Sequence, residues 1–242
     1  MATKLHTLLI CGAALMMTSC GQPLKNDNAA APEEKAVSVV LEKDIVKDIL
    51  EGKAAFDLNQ FTWVNAPKEY AIEGGKLTLI TEEKTDLWQH TLNGADLSNA
   101  PVLMLQTQQN FTFTVKTEFS DAKTMYDQCG PIIYMDRDNW LKASVENAGE
   151  EGGYLGSVNN IDGHSDWATS TIPGDIKTVW YKVNRMGCDV ILSSSTNGQK
   201  YSILRFAHMN KAEDVVGIGL YACSPGEGAS FKAVYSDMSF SK

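Results

Sequence analysis

The feature that most constrains the fold is a long series of short strand-like runs, separated by turn-forming residues, between residue 60 and the C-terminus. The runs are rich in β-branched, aromatic and other apolar residues. They cover residues 76–81, 102–107, 111–119, 130–135, 140–147, 155–159, 166–172, 178–185, 188–194, 201–207, 215–223 and 231–239. No long helical pattern follows residue 55, and no repeat of fixed period suggests a propeller. The sequence therefore predicts an all-β protein, a jelly-roll sandwich of two sheets.

The N-terminal segment has the layout of a secretory signal. Lys4 is a short basic start, residues 8–17 are apolar, and two small residues precede Cys20. The apolar stretch is shorter than the roughly 20 residues of a spanning helix. The sequence MTSCG at 17–21 resembles a bacterial lipobox, although Met17 stands where that pattern prefers leucine. The resemblance implies cleavage before Cys20, lipidation of Cys20 and a place in the bacterial cell envelope, periplasmic or surface-exposed. An ordinary secretory signal with a chance cysteine is the alternative.

The segments that follow define the predicted domain boundaries. Residues 1–19 are the expected signal peptide, and residues 20–36 are small, polar and proline-containing, which is typical of a flexible tether. Residues 37–55 contain apolar residues at helical spacing and form a short amphipathic helix, or alternatively a first strand. Residues 56–242 form the sandwich.

The charge and the cysteines exclude several classes of protein. The chain has 21 basic and 30 acidic residues and a net charge of −9. Because it has no basic patch, we expect no nucleic-acid partner and contact with a membrane only through the lipid. With Cys20 lipidated, Cys129, Cys188 and Cys223 remain, and these allow at most one disulfide bond. No cysteine and histidine cluster indicates zinc.

Residues 140–146 give the first indication of a site, because successive side chains of a strand point to opposite faces. One face carries Leu141, Ala143 and Val145. The other carries Trp140, Lys142, Ser144 and Glu146. If the apolar face packs between the sheets, then an aromatic ring, a cation, a hydroxyl and an acid point outward together. A solvated surface is the alternative interpretation.

Two further tryptophans have equally polar neighbours and extend this candidate surface. Trp88 and Trp167 lie beside amides and acids, whereas Trp63 and Trp180 alternate with apolar residues and are expected in the core. Exposed rings beside carboxylates and amides suit sugars, since the C–H face of a pyranose stacks on a ring while its hydroxyls form hydrogen bonds. The predicted carbohydrate-binding residues are Trp88, Gln128, Trp140, Lys142, Glu146, Asp166 and Trp167.

An ordered set of short motifs resembles a concanavalin A-like family of unknown function that includes the regulation-of-enolase protein. The motifs are Phe61-Thr62-Trp63, Gly75-Lys76-Leu77, Thr85-Asp86-Leu87-Trp88, Tyr126-Asp127-Gln128, Asn139-Trp140-Leu141-Lys142, Ser165-Asp166-Trp167 and Ser224-Pro225. The resemblance covers about residues 56–240 and implies a lectin-like jelly roll, without an established activity. Cys129 and the polar loop 159–164 depart from the expected pattern.

A carbohydrate-active enzyme on the same scaffold, a hydrolase, lyase or epimerase, is the alternative function. Glycosidases use two neighbouring carboxyl groups, and Glu146 with Asp127 or Asp166 is the candidate pair. Lys142 is expected to keep Glu146 ionised, which favours a binding acceptor over a general acid. No nucleophile motif is present, so no catalytic residue is assigned. The loops at 136–139 and 162–166 are rich in oxygen ligands and allow calcium, but such loops are ordinarily turns, so no cofactor or metal site is assigned.

Overall fold

Strands follow one another from residue 62 to residue 241 of the computed structural model, which describes residues 41–242. They are β1 Thr62–Val64, β2 Glu69–Glu73, β3 Lys76–Ile80, β4 Leu87–Gln89, β5 Asp96–Ser98, β6 Val102–Thr107, β7 Phe111–Glu118, β8 Gln128–Asp136, β9 Asn139–Asn147, β10 Gly153–Ile161, β11 His164–Ile172, β12 Thr178–Met186, β13 Asp189–Ser195, β14 Ser202–His208, β15 Val216–Cys223 and β16 Lys232–Ser241. The helix α1, Ile45–Leu50, precedes them. The predicted signal peptide, Cys20 and the tether lie outside the described residues.

The strands form two seven-stranded antiparallel sheets and a separate hairpin. Sheet A has the order β1-β6-β15-β8-β9-β10-β11, and sheet B has the order β14-β13-β12-β7-β16-β3-β2. The hairpin consists of β4 and β5. The predicted all-β sandwich is confirmed, and each of the twelve predicted runs corresponds to a strand. The sequence did not indicate β1, β2, β4 and β5, which have only three to five residues each.

The main core lies between the two sheets and follows from period-2 alternation. In β7 and β12 every second residue is buried, which places Phe113 and Tyr181 in the core. Leu141, Ala143 and Val145 of β9 join the same cluster, as the alternation predicted. Trp63 packs against this core, but Trp180 does not. Trp180 lies on the outer face of sheet B, where the Lys116 ammonium is 5.2 Å from its ring centroid, so the expectation that Trp180 is a core residue was wrong.

A second core covers part of the outer face of sheet A. Leu87 of β4 packs there with Met104, Ile132 and Tyr221, and Trp140 is completely buried among them. Strand β9 is consequently buried on both faces over eight of its nine residues. The polar face of β9 is therefore not a solvated surface, because the chain from Thr85 to Ser98 lies across it.

The helix α1 closes one part of the sandwich and agrees with the predicted helix within residues 37–55. Asp44 is its N-cap, since its side chain accepts a hydrogen bond from the backbone N–H of Lys47 at 2.9 Å. The same carboxylate accepts from the hydroxyl of Thr107 at 3.0 Å, and Val46 is buried in the main core. Residues 37–40 of the predicted helix or strand are outside the described part. None of the helices in residues 41–242 has the length and hydrophobicity needed to cross a bilayer.

Candidate functional site

A pocket of about 360 Å³ opens on the outer face of sheet A. Its volume lies within the range of small-molecule sites, roughly 300–1,000 Å³. Polar side chains and aromatic or aliphatic side chains line it together: Asp86, Trp88, Leu92, Asn93, Leu97, Tyr126, Gln128, Lys142, Glu146, Val158, Trp167 and Pro225. Five of the seven predicted carbohydrate-binding residues are among them: Trp88, Gln128, Lys142, Glu146 and Trp167.

The strand register explains why residues distant in sequence meet in this pocket. Gln128 of β8 lies directly opposite Glu146 of β9. Lys142 of β9 lies opposite Val158 of β10, which in turn lies opposite Trp167 of β11. Because directly paired residues share a face of the sheet, these side chains project on the same side. The alternation in β9 thus predicted the face of the strand on which this pocket opens.

Gln128 organises the floor of the pocket. Its side-chain oxygen Oε1 accepts hydrogen bonds from Lys142 Nζ at 3.1 Å, Ser144 Oγ at 3.3 Å and the hydroxyl of Tyr221 at 2.8 Å. Its amide nitrogen donates to the backbone carbonyl of Tyr126 at 3.3 Å. All three donors to Oε1 are buried. Gln128 is therefore a positioning residue, which holds Lys142 in place and has no free acceptor for a ligand.

Lys142 is a buried cation whose charge is compensated by Asp86. The side chain of Lys142 is 2% exposed, and Nζ lies 3.6 Å from Asp86 Oδ1. The ammonium is also 5.2 Å from the ring centroid of Tyr221 and 5.6 Å from that of Trp140. A buried lysine is costly unless it is paired, so the carboxylate, the amide oxygen and the two ring faces together stabilise the ammonium.

Asp86 lines the pocket, and one of its two carboxylate oxygens makes contacts with the protein. Oδ1 accepts the backbone N–H of Leu87 at 2.7 Å and the thiol of Cys223 at 3.6 Å, in addition to its contact with Lys142. Within residues 41–242 no hydrogen bond reaches Oδ2 of Asp86. The sequence interpretation did not select Asp86, although it belongs to the motif Thr85-Asp86-Leu87-Trp88 that carried the family resemblance.

Glu146 is the least compensated group of the site. Its side chain is 6% exposed, and no hydrogen bond from the described residues reaches its carboxyl group. Burial raises the pKa of Glu146 to about 7, and the positive charge of Lys142, which acts in the opposite direction, does not cancel this effect. The nearby carboxylate of Asp86 raises the pKa further. Lys142 favours the ionised form of Glu146, as expected, but burial has the larger effect on the pKa of this carboxyl group.

Aromatic and aliphatic side chains form the rim of the pocket. Trp88 is half-buried, and its indole N–H donates to the carbonyl of Thr91 at 3.1 Å. Trp167 is 38% exposed and packs edge-to-face on Tyr154, with ring centroids 5.9 Å apart. Tyr126 is 42% exposed and Leu92 is 96% exposed. These side chains surround a polar floor with apolar surface.

Two residues of the rim have a strained backbone. Leu92 has φ 68° and Tyr126 has φ 67°. Bulky L-residues rarely adopt this left-handed region, which costs of the order of 1–3 kcal/mol. Such strain tends to be retained where side-chain placement serves a function. Both strained residues line the same pocket.

Trp140 does not line the pocket, contrary to the sequence prediction. It is completely buried beneath the hairpin, and its indole N–H donates to the backbone carbonyl of Arg137 at 3.1 Å. Its strand face was predicted correctly, but the hairpin covers that face at this position. Trp140 therefore supports the floor beside Lys142 and has no ring surface available for a sugar.

Asp166 and Asp127 also lie outside the pocket. Asp166 is exposed and pairs with Arg205 of sheet B, with a distance of 3.2 Å from Arg205 Nη1 to Asp166 Oδ2. Asp127 is buried, and its Oδ2 accepts the backbone N–H groups of Lys123 and Thr124 at 3.0 and 2.8 Å. Neither acid faces Glu146 across the pocket, and Asp86 is the second carboxylate instead.

A buried polar network fixes the hairpin wall of the pocket to sheet A. The amide nitrogen of Gln89 donates to Asp96 and to Asp138, both at 2.9 Å, and its oxygen accepts from Asn160 at 2.6 Å. The hydroxyl of Ser165 accepts the backbone N–H of Gln89 at 2.9 Å and donates to Asn160 at 2.9 Å. Since these groups satisfy one another, the hairpin is held rigidly over the sheet.

The cysteines, His90 and the acids of the oxygen-rich loops do not line the pocket. Cys129, Cys188 and Cys223 are all free thiols. The Nδ1 atom of His90 lies 2.7 Å from the carbonyl oxygen of Gly163, which makes His90 part of the hairpin anchor. In the oxygen-rich loops, Asp162 pairs with Lys211 and Asp138 pairs with Arg137. In the described part of the chain, no three acids, histidines or cysteines are grouped to hold a metal ion.

The geometry defines a class of protein, an antiparallel β-sandwich with a polar pocket on the outer face of one sheet. Residues 63–242 match the model of a family described as proteins of unknown function (DUF1349). The chain belongs to this family. Over 183 residues it is 31% identical to Regulation of enolase protein 1 of Saccharomyces cerevisiae. The matched region covers 76% of this chain and 90% of the yeast protein.

Solved structures show the same fold. A crystal structure of a functionally unknown protein from Saccharomyces cerevisiae is similar with a TM-score of 0.71 and 31% identity, over 76% of this chain and 97% of that chain. A xylan β-1,4-xylosidase from Bacillus halodurans is similar with a TM-score of 0.55 and 15% identity, over 70% of this chain and 33% of the xylosidase. The second similarity concerns the fold alone.

Proposed function

We propose that the pocket on sheet A binds carbohydrate. The observation that carries the proposal is the combination of half-exposed tryptophans, Trp88 and Trp167, with a floor of charged groups fixed by Gln128. A sugar has apolar C–H faces and a polar edge, and this pocket offers an apolar rim above a polar floor. The strained backbone of Leu92 and Tyr126 at the rim further supports a ligand site.

The test is a titration of the full-length chain against a panel of monosaccharides and oligosaccharides, with affinity measured by calorimetry. At least one sugar is expected to bind, and Trp167→Ala is expected to lower the affinity for that sugar. Trp180→Ala is the matched control, because Trp180 is half-buried on the outer face of the other sheet. Absence of binding across the panel, or equal loss of affinity in both variants, would contradict the proposal.

A second candidate function is a carbohydrate-active enzyme that uses the same pocket. The observation that favours it is the presence of two carboxyl groups, Asp86 and Glu146, of which Glu146 has a pKa of about 7. An acid that holds its proton near neutral pH is suited to protonate a leaving group while a second carboxylate acts as base or nucleophile. Release of reducing ends, or of unsaturated products, by the wild-type chain and not by Glu146→Gln would establish this activity.

Lipid anchoring through Cys20 is a further part of the proposal. The short apolar segment that ends at Ser19-Cys20 and the polar sequence after it support a lipoprotein of a bacterial envelope. Metabolic labelling with a fatty-acid analogue tests this. Incorporation into the wild-type chain and not into Cys20→Ser is expected, and equal labelling of both would refute the anchor.

A further inference from the structure

We propose that the pocket selects an uncharged sugar by binding two neighbouring hydroxyl groups, one at the carboxylate of Asp86 and one at the carboxylate of Glu146, beside the ammonium of Lys142. This inference rests on the proposed carbohydrate binding and specifies the class of sugar.

Some polar atoms of the pocket floor are occupied by the protein, and others remain free for a ligand. Oε1 of Gln128 is occupied by three donors, and Oδ1 of Asp86 is occupied by a backbone N–H, a thiol and Lys142. Oδ2 of Asp86 and the carboxyl group of Glu146 have no hydrogen-bond partner among residues 41–242. Lys142 uses its contacts to Gln128 and Asp86, which leaves one of its three N–H groups.

The free atoms suit the hydroxyl groups of a sugar. A carboxylate accepts hydrogen bonds, and a sugar hydroxyl both donates and accepts. A hydroxyl at Asp86 or Glu146 can donate to the carboxylate and accept from the remaining N–H of Lys142, and hydrogen bonds to charged groups are the stronger kind. Because both carboxylates line one pocket, two hydroxyls of the same sugar ring can satisfy both.

The charge of the pocket floor opposes a negatively charged sugar. Asp86 and Lys142 compensate each other, so ionised Glu146 leaves one uncompensated negative charge in a pocket with an apolar rim. A uronate would place a second uncompensated carboxylate there, and repulsion between like charges in a desolvated site opposes its binding. An amino sugar is the competing occupant, because its ammonium group would compensate Glu146.

The experiment is a calorimetric titration of the full-length chain at about pH 8, where Glu146 is ionised. The probes are xylose, arabinose, glucose, galactose and mannose, together with glucuronate, galacturonate, glucosamine, and the methyl glycosides of 3-deoxyglucose and 3-deoxygalactose, which have no vicinal pair of hydroxyls. We expect the best ligand to be neutral and to carry vicinal hydroxyls. Where the panel contains its uronate or deoxy analogue, that analogue should bind at least about tenfold more weakly.

Isosteric variants assign the recognition to the two carboxylates. Asp86→Asn and Glu146→Gln are each expected to lower the affinity for the best neutral sugar by about tenfold or more. Glu73→Gln, an exposed position on strand β2 of the other sheet, is the control and should bind as the wild-type chain does. Unfolding curves of each variant establish that the folded state is retained.

The outcomes separate this inference from the function on which it rests. Tighter binding of a uronate or of glucosamine, or equal binding of a deoxy analogue, would overturn the selection of a neutral diol and leave carbohydrate binding intact. Unchanged affinity in both isosteric variants would do the same. Absence of binding by every sugar would overturn both.

Discussion

Replacement of Glu146 by glutamine should change the pH dependence of the stability of the fold. Burial raises the pKa of Glu146 from an ordinary 4.5 to about 7. Between these values the folded protein retains a proton that the unfolded chain has released, so the free energy of unfolding falls as the pH rises through this window. At roughly 1.4 kcal/mol per pH unit, the loss attributable to Glu146 is about 3 kcal/mol between about pH 4.5 and 7.

Glu146→Gln removes this titration and retains the size of the side chain. The difference in free energy of unfolding, variant minus wild type, should therefore increase by about 3 kcal/mol from about pH 4.5 to about pH 8. Urea unfolding curves measured at several pH values give this difference directly, and the titration of all other groups cancels in it. Glu73→Gln, on an exposed strand, should show no such trend.

The reasoning is refuted if the difference between Glu146→Gln and the wild type stays constant within about 0.5 kcal/mol over the whole range. That result would mean that the carboxyl group titrates as it does in water, and that the floor of the pocket is more solvated than the structure shows.

The remaining predictions concern the rim and the support of the pocket. Trp167→Ala should lower the affinity for the sugar by roughly tenfold, because ring stacking is lost. Calorimetry measures this loss, and the control Trp180→Ala should bind the sugar as the wild-type chain does. Leu92→Gly should raise the free energy of unfolding by about 1 kcal/mol, since glycine accepts φ 68° without strain, and it should lower the affinity for the sugar. A lower free energy of unfolding would show that Leu92 is not strained. Trp140→Ala should reduce the free energy of unfolding by about 3–5 kcal/mol, because it truncates a core side chain. Reduced affinity for the sugar without any loss of stability would show instead that Trp140 is a binding residue.

The sequence was sufficient to predict the sandwich, because its strands are long enough to show alternation on their own. Strands β7 and β12 alternate cleanly, since one face of each meets the core and the other faces outward. The same alternation assigned Leu141 to the core and Lys142 to the opposite face. The short strands β4 and β5 have three residues each, which is too few for any period to be recognised.

The part of the site that the sequence did not reveal depends on that short hairpin. Because β4 and β5 were not recognised, their packing across sheet A was not anticipated, and Trp140 and Glu146 were expected to be exposed. The hairpin buries Trp140 and helps to enclose the pocket whose depth raises the pKa of Glu146. The position of Asp166 outside the pocket could not be predicted either, since its pairing with Arg205 depends on an edge strand of the other sheet.

The central claim, that a sugar occupies this pocket, is tested most directly by the indole N–H signals of the five tryptophans in a chain labelled with ¹⁵N-tryptophan. Addition of the best sugar from the panel should shift the signals of Trp88 and Trp167, which line the pocket, and leave those of Trp63 and Trp180 unchanged. Single substitutions assign each signal. Shifts at Trp63 or Trp180 without shifts at Trp88 and Trp167 would contradict the account, because the sugar would then bind on another surface.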